Sequence, residues 1–158
     1  MTQNSPQFHL LLHASHLLEE RLRRTLSPLG IPPAQARMID AISKAGECSQ
    51  GVLAREFHIS PASMSSMTRR LVANGTITRR EDLSDARNKL LSLTPKGRAL
   101  MKEISLAWQS MDALIVDAVG AQTADALFSG GKALRDALGG RAPARPATPE
   151  IEKPVQTL

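Results

Sequence analysis

Two groups of residues in this 158-residue chain have the types and spacing to grip a polyanion. The first is Ala62, Ser63, Ser65, Ser66, Arg69 and Arg70. Small and hydroxylated side chains come first, where they can approach base edges without steric blockage. Guanidinium groups come after them, where they can bind phosphate or guanine. The second group is Asp85, Arg87 and Lys89, in a polar stretch. An arginine on an exposed tip can enter a minor groove, where the potential of a duplex is most negative. A carboxylate two residues before it can hold its guanidinium through paired hydrogen bonds. The placement of charge agrees. Residues 49–98 hold nine Lys/Arg and four Asp/Glu, net +5, which is the whole of the formal excess, and the remainder has eleven of each. A nucleic-acid footprint requires such clustering.

The elements that must position these residues read as two short helices, a turn between them, and a hairpin. Ser49 is placed to cap the first helix, and Val52, Leu53 and Phe57 recur at helical spacing. Ser60 is the second cap, with Pro61 at the first helical position, where a missing amide proton costs nothing. Met64, Met67 and Leu71 then point inward, which leaves the serines and arginines on the opposite face. By itself this is an ordinary amphipathic surface helix with two arginines. The residues after it raise the odds of a DNA-reading unit. Asn74-Gly75 ends the helix, with Gly75 free to take the left-handed conformation. Residues 76–80 alternate and are rich in β-branched types, residues 81–88 form a charged loop, and Lys89 to Leu93 return as a strand.

Leu53-Ala54 through Ile59-Ser60, Arg70-Leu71 then Asn74-Gly75, Ile77 with Arg79, Asp85-x-Arg87, and Leu91-x-Leu93-Thr94-x-x-Gly97 resemble the multiple antibiotic resistance regulator (MarR) family. The likeness runs in layout from about Leu10 to Leu138 and is most specific from Leu53 to Gly97. It implies a mainly α fold with a small β-hairpin wing, a winged helix-turn-helix flanked by N- and C-terminal dimerisation helices. It also implies a homodimeric, ligand-responsive regulator of transcription on double-stranded DNA, with Arg87 in the minor groove supported by Asp85. Two positions depart from the pattern: Thr76 replaces a larger apolar residue and Leu83 a common proline.

The rest of the chain divides accordingly. Residues 1–48 hold a long helix, about 7–26, with Leu11, Leu18 and Leu22 on its apolar face, and a second helix from Pro33 to about Ala45 with Met38 and Ile42 inward. Residues 99–138 complete a long helix opened by Thr94 and Pro95, carrying Leu100, Ile104, Trp108, Met111, Ile115 and Ala118, and a last helix from about Thr123 with Leu127, Gly131 and Leu134 on one face. Residues 139–158 are Pro-rich, polar and aperiodic, and read as a disordered tail. A dimer suits this layout, because one recognition helix reads too few base pairs while two read a palindrome.

Other groups could sense a signal. His9, His13, His16 and Glu20 share one helix face, where they could bind metal, sense pH or hold an anion, or simply meet solvent or a partner. Met38, Trp108 and Met111 could line a pocket for a small organic effector, with His13 and His16 nearby, or fill the core. Cys48, the one cysteine, precludes an intramolecular disulfide, and it lacks the tyrosines that accompany the cysteine of peroxide-sensing relatives. The scattered ligand set of zinc-responsive relatives is not found, and no cofactor or metal is expected. No Gly-rich phosphate loop, nucleophile elbow or HExxH motif is present, which argues against an enzyme. No run is apolar enough to span a membrane and no export signal opens the chain, so a cytoplasmic place is expected. The reading is a regulator, acting as a repressor. The alternatives are a sequence-neutral architectural DNA binder and a protein-binding winged helix, and the second would lack the basic face and wing arginine.

Overall fold

The computed structural model describes residues 7–85 and 87–140. Six helices and three short strands run in order: α1 (Phe8–Leu26), a 3-10 turn (Ser27–Leu29), α2 (Pro33–Ala45), β1 (Glu47–Ser49), α3 (Gln50–Glu56), α4 (Pro61–Ala73), β2 (Ile77–Glu81), β3 (Lys89–Leu93), α5 (Pro95–Val119) and α6 (Ala121–Ala137). No helix among the described residues is long and apolar enough to cross a membrane.

The core is built around α2. Its Ala36, Met38, Ile39, Ala41 and Ile42 are all buried, and the helix touches α1, α5, β1 and β3. Leu53 from α3, Met64 and Leu71 from α4, Ile77, Leu91 and Ile104 close the same cluster. These side chains sit at helical and strand spacing, so each element contributes one stripe to a single apolar interior.

The sheet has the order β1-β3-β2 and is antiparallel throughout, with Leu91 paired to Cys48 on one side and Arg79 on the other. The third strand, β1, is invisible to periodicity because three residues are too few to alternate. It brings Glu47 and Cys48, ahead of Ser49, into the sheet. Ser49 does stand at the N-cap of α3, but its side chain makes no capping bond. Val52 is 38% exposed, and Ala54 takes the inward place expected of it. The second strand runs one residue later than its sequence pattern, and α6 starts two residues earlier.

One corner fixes the wing against the long helix. Thr94 caps α5, its Oγ1 accepting from the Gly97 amide at 3.0 Å. The same hydroxyl lies 2.7 Å from the Gly75 carbonyl oxygen and 3.0 Å from that of Thr76. A Cβ at position 97 would stand 2.1 Å from the Thr76 carbonyl oxygen, so only glycine lets α5 approach this closely. Thr76 is itself buried at this corner, and the Leu83 side chain, at the other departure, projects from the wing at 98% exposure.

Among the described residues, much of the apolar surface of the terminal helices is uncovered. Phe8, Leu10, Leu11, Leu12 and Leu17 are exposed on α1. On α6, Leu127, Phe128 and Leu134 are exposed, and Ala124 is the one residue buried. Gly139 and Gly140 close α6 through bonds to Asp136 and Arg135 carbonyls. The rest of the expected tail lies outside the described residues.

Candidate nucleic-acid interface

The local chemistry that starts α4 is as its residues dictate. Ser60 takes an extended backbone, and its Oγ accepts from the Ser63 amide at 3.1 Å. Pro61 supplies the pre-set first helical residue. Met64, Thr68 and Leu71 face the core, and Ala62, Ser63, Arg69 and Arg70 are exposed. Ser66 is half-buried. Ser65 is placed differently from its neighbours: its Oγ accepts from Gln50 Nε2 at 3.0 Å, so it ties α4 to α3. The turn between the two helices places His58 in the left-handed region, φ 51°, and Ile59 donates its amide to the Ala54 carbonyl.

The other end of α4 is also anchored. Gly75 turns the chain at φ 69°. Lys96 Nζ donates to the Asn74 carbonyl at 2.6 Å, a cation at the negative end of the helix dipole. The helix is thus fixed at its start by its own cap and at its end by the Thr94–Gly97 corner.

The wing tip is held by two aspartates acting on the backbone. Asp82 Oδ1 accepts from the amide and hydroxyl of Ser84, at 2.9 and 2.7 Å, and these bonds hold its carboxyl below the usual range. Asp85 Oδ1 accepts from the Arg87 amide at 3.0 Å, and Oδ2 from Asn88 Nδ2 at 3.2 Å. Main-chain bonds from Asp82 N to Asn88 O and from Asn88 N to Asp85 O close the loop. Among the described residues, the bonds to the Asp85 carboxylate come from the Arg87 amide and the Asn88 side chain rather than from the Arg87 guanidinium. The carboxylate is occupied by the turn, and it orients Arg87 through its peptide group.

Charge pairing sorts the basic residues. Arg80 makes a two-pronged bond to Glu47, Nε–Oε2 2.9 Å and Nη2–Oε1 2.6 Å, bridging the strands on either side of β3. Lys89 pairs with Glu81 across the hairpin, which lowers that carboxyl. Among the described residues no ion pair engages Arg69, Arg70, Arg79 or Arg87. Glu47, Gln50 and Lys96 were not singled out by sequence. Their partners are 33, 15 and 22 residues away, and only the fold brings them together.

Of the residues suggested for a ligand, the histidines lie at the surface and the others in or against the core. His13 and His16 are exposed on the N-terminal part of α1, as is His9. Met38 is fully buried, Met111 is 9% exposed, and Trp108 packs half-buried against the core. None of them lines the cavity of about 240 Å³ bounded by Thr25, Pro28, Leu29 and the α5 residues Glu103, Leu106, Ala107 and Ser110. Among the described residues no group of three His, Cys, Asp or Glu could hold a metal ion. Cys48 sits half-buried in β1, and its thiol is pushed up to about 11 by burial, then by Glu56 and Glu47. A thiol held neutral in this way is a poor nucleophile at neutral pH.

Comparison with known proteins agrees with this architecture. A model described as the MarR family matches residues 29–88. An HTH-type transcriptional repressor of Mycobacterium tuberculosis, Rv2887, is 27% identical over 116 residues, covering 73% of this chain and 84% of the relative. The structure of that MarR-family protein in complex with salicylic acid is 25% identical, with a TM-score of 0.67, covering 85% of this chain and 99% of that one. A mutant MarR from E. coli complexed with operator DNA shares the fold at a TM-score of 0.74 and 24% identity, over 82% of this chain and 94% of that one. Residues 29–88 thus match the MarR family, and the chain around them is similar in sequence to a mycobacterial MarR-family repressor and in fold to MarR-family structures.

Proposed function

We propose that the chain is a DNA-binding transcription repressor, not an enzyme, that acts in the cytoplasm as a homodimer on a pseudo-palindromic operator and answers to a small organic effector. The observation that carries the reading is the face formed by Ala62, Ser63, Ser66, Arg69 and Arg70 on an α4 anchored at both ends, joined to a wing that presents Arg87, which makes no ion pair among the described residues. Rigid presentation matters because base-edge contacts tolerate little misplacement. In this reading Arg69 and Arg70 meet phosphate or guanine, Arg87 enters the flanking minor groove, and Asp85 holds the turn. Ser65 and Lys89 act from behind, the one through Gln50 and the other through Glu81.

The exposed apolar residues of α1 and α6 support the dimer. A monomer rarely leaves surfaces of this kind uncovered, and a second copy would bury both. The relatives support the same reading: the mycobacterial one is named a repressor and was solved with salicylic acid, and MarR from E. coli with operator DNA.

The test is selection of bound duplexes from a random pool, followed by equilibrium binding. The reading expects a two-fold symmetric site bound by two chains, on the order of a thousandfold or more tighter than unselected duplex. Equal affinity for all duplexes would favour an architectural binder and refute it.

A further inference from the structure

Leu83, in the loop of the wing, is the most exposed large apolar residue among those described, at 98%. A lone exposed leucine is ordinary on a protein surface, but the register of the hairpin gives this one a particular neighbour. The strands pair Arg80 with Leu90 and Glu81 with Lys89. The Asp82 amide carries the register on by donating to the Asn88 carbonyl. One step further, Leu83 comes across the loop from Arg87. A groove that takes Arg87 therefore receives Leu83 with it.

The other charges of the loop are turned onto the loop itself. Asp82 accepts from the amide and hydroxyl of Ser84, and Asp85 from the Arg87 amide and the Asn88 side chain. That leaves the apolar Leu83 and the Arg87 guanidinium, which has no ion pair among the described residues, to face a partner. The same bonds hold the shape of the loop, so pressing Leu83 against a surface costs little further ordering. A minor groove suits the pair: its floor offers acceptors to a guanidinium, and apolar side chains seat themselves along it. Size then discriminates between grooves. A B-form minor groove is about 6 Å wide. A-tracts are narrower and stiff, whereas TA steps deform readily. A narrow tract takes a guanidinium alone, and a guanidinium with an isobutyl group beside it needs a groove that opens.

We propose that Leu83 is a specificity-determining residue of the wing. It packs on the deoxyribose wall of the flanking minor groove beside Arg87, and so makes the wing select deformable TA-rich flanks over rigid A-tracts. The inference rests on the DNA-binding reading. An apolar contact displaces no counterion, so Leu83 adds affinity and preference without adding salt dependence, in contrast to the charged residues of the interface.

The experiment uses the full chain and its selected duplex, with the core of the site kept and the flanks changed to TATA or to AAAA. Equilibrium binding is read by anisotropy over a range of salt. The parent should bind the TATA flanks about fivefold tighter than the AAAA flanks, as burying part of a leucine provides. Leu83→Ser should lose that preference through weaker binding to the TATA flanks alone, with the salt slope unchanged. Leu83→Met should restore the preference. Arg87→Ala should instead weaken binding to both flanks and lower the slope by roughly 0.9. The side chain at 83 touches little of the fold, and thermal unfolding checks that the variants stay folded. An unchanged preference in Leu83→Ser, an equal loss on both flanks, or a changed salt slope would each overturn the inference. So would loss of the paired state of the free chain in Leu83→Ser, which would place Leu83 against a second copy. If the parent discriminates no duplex from another, the DNA-binding reading falls and the inference falls with it. If the parent binds a selected duplex and is indifferent to Leu83, the inference alone falls.

Discussion

Replacing Asp85 separates positioning from bulk attraction, because the two effects have opposite signs. Asp85→Ala removes one negative charge from the wing. At about 10 Å from a phosphate in water that repulsion is on the order of 0.4 kcal/mol, and salt at 0.1 M screens it further. The same change deletes the acceptors of the Arg87 amide and the Asn88 side chain. Those exposed bonds contribute at the low end of about 0.5–1.5 kcal/mol each. Without them the backbone at Arg87 must be ordered on binding, at about 1–2 kcal/mol per residue. The loss exceeds the gain, so Asp85→Ala should bind its selected duplex more weakly by roughly 1–2 kcal/mol, about five- to thirtyfold. Asp85→Asn keeps an oxygen for the Arg87 amide and drops the charge, so it should bind as well as the parent or a few tenths of a kcal/mol tighter. Fluorescence anisotropy at two salt concentrations, with thermal unfolding as a control, reads both variants. If Asp85→Ala binds tighter than the parent with its fold intact, or if both variants shift in one direction, Asp85 does not act by holding the turn.

Three further outcomes are expected. Gly97→Ala should lose about 1–3 kcal/mol in urea unfolding, because its Cβ would overlap the Thr76 carbonyl, and an unchanged midpoint would show that α5 can shift. Arg69→Ala and Arg70→Ala should each weaken binding: a lost phosphate contact lowers the salt slope by roughly 0.9, and a lost base contact relaxes one position by about 1–3 kcal/mol. Cys48 should react with iodoacetamide along a curve centred near pH 11 rather than 9. Since its folded pKa is raised, the folded state keeps a proton that the unfolded chain gives up, so this group's contribution to stability is full below pH 9 and lost as pH rises towards 11. Half-reaction near pH 9 in the folded protein would contradict the burial assigned to it.

How far the sequence could be read varies with the range of the forces involved. The recognition helix was legible because its determinants are local: Ser60 caps, Pro61 starts, Met64 and Leu71 mark the inner face, and Gly75 ends it. The outer helices were legible as amphipathic, but nothing among the described residues covers Leu11, Leu17 or Leu127. The strand at Cys48 was not legible, since its pairing partner Leu91 lies far along the chain. Charge was legible as a sum and not as pairs. Arg80 and Lys89 look as free as Arg69 in the sequence, yet the sheet brings Glu47 and Glu81 to them. The pairing of Asp85 with Arg87 is legible but its atoms are not, because a carboxylate two residues before an arginine can reach its amide, as it does in the structure, as easily as its guanidinium. Met38 and Met111 show the limit for cavities, since the residue types that line a pocket also fill a core.

The most direct test of the central claim is a hydroxyl-radical footprint of the chain on its selected duplex, with the stoichiometry measured on the same sample. Two chains per duplex should give two symmetric protected blocks whose centres lie about ten base pairs apart, flanked by minor-groove protection that Arg87→Ala removes while the central blocks remain. A single chain per site, continuous protection without symmetry, or flanks unchanged in Arg87→Ala would contradict a dimeric winged helix-turn-helix that reads DNA through α4 and the wing.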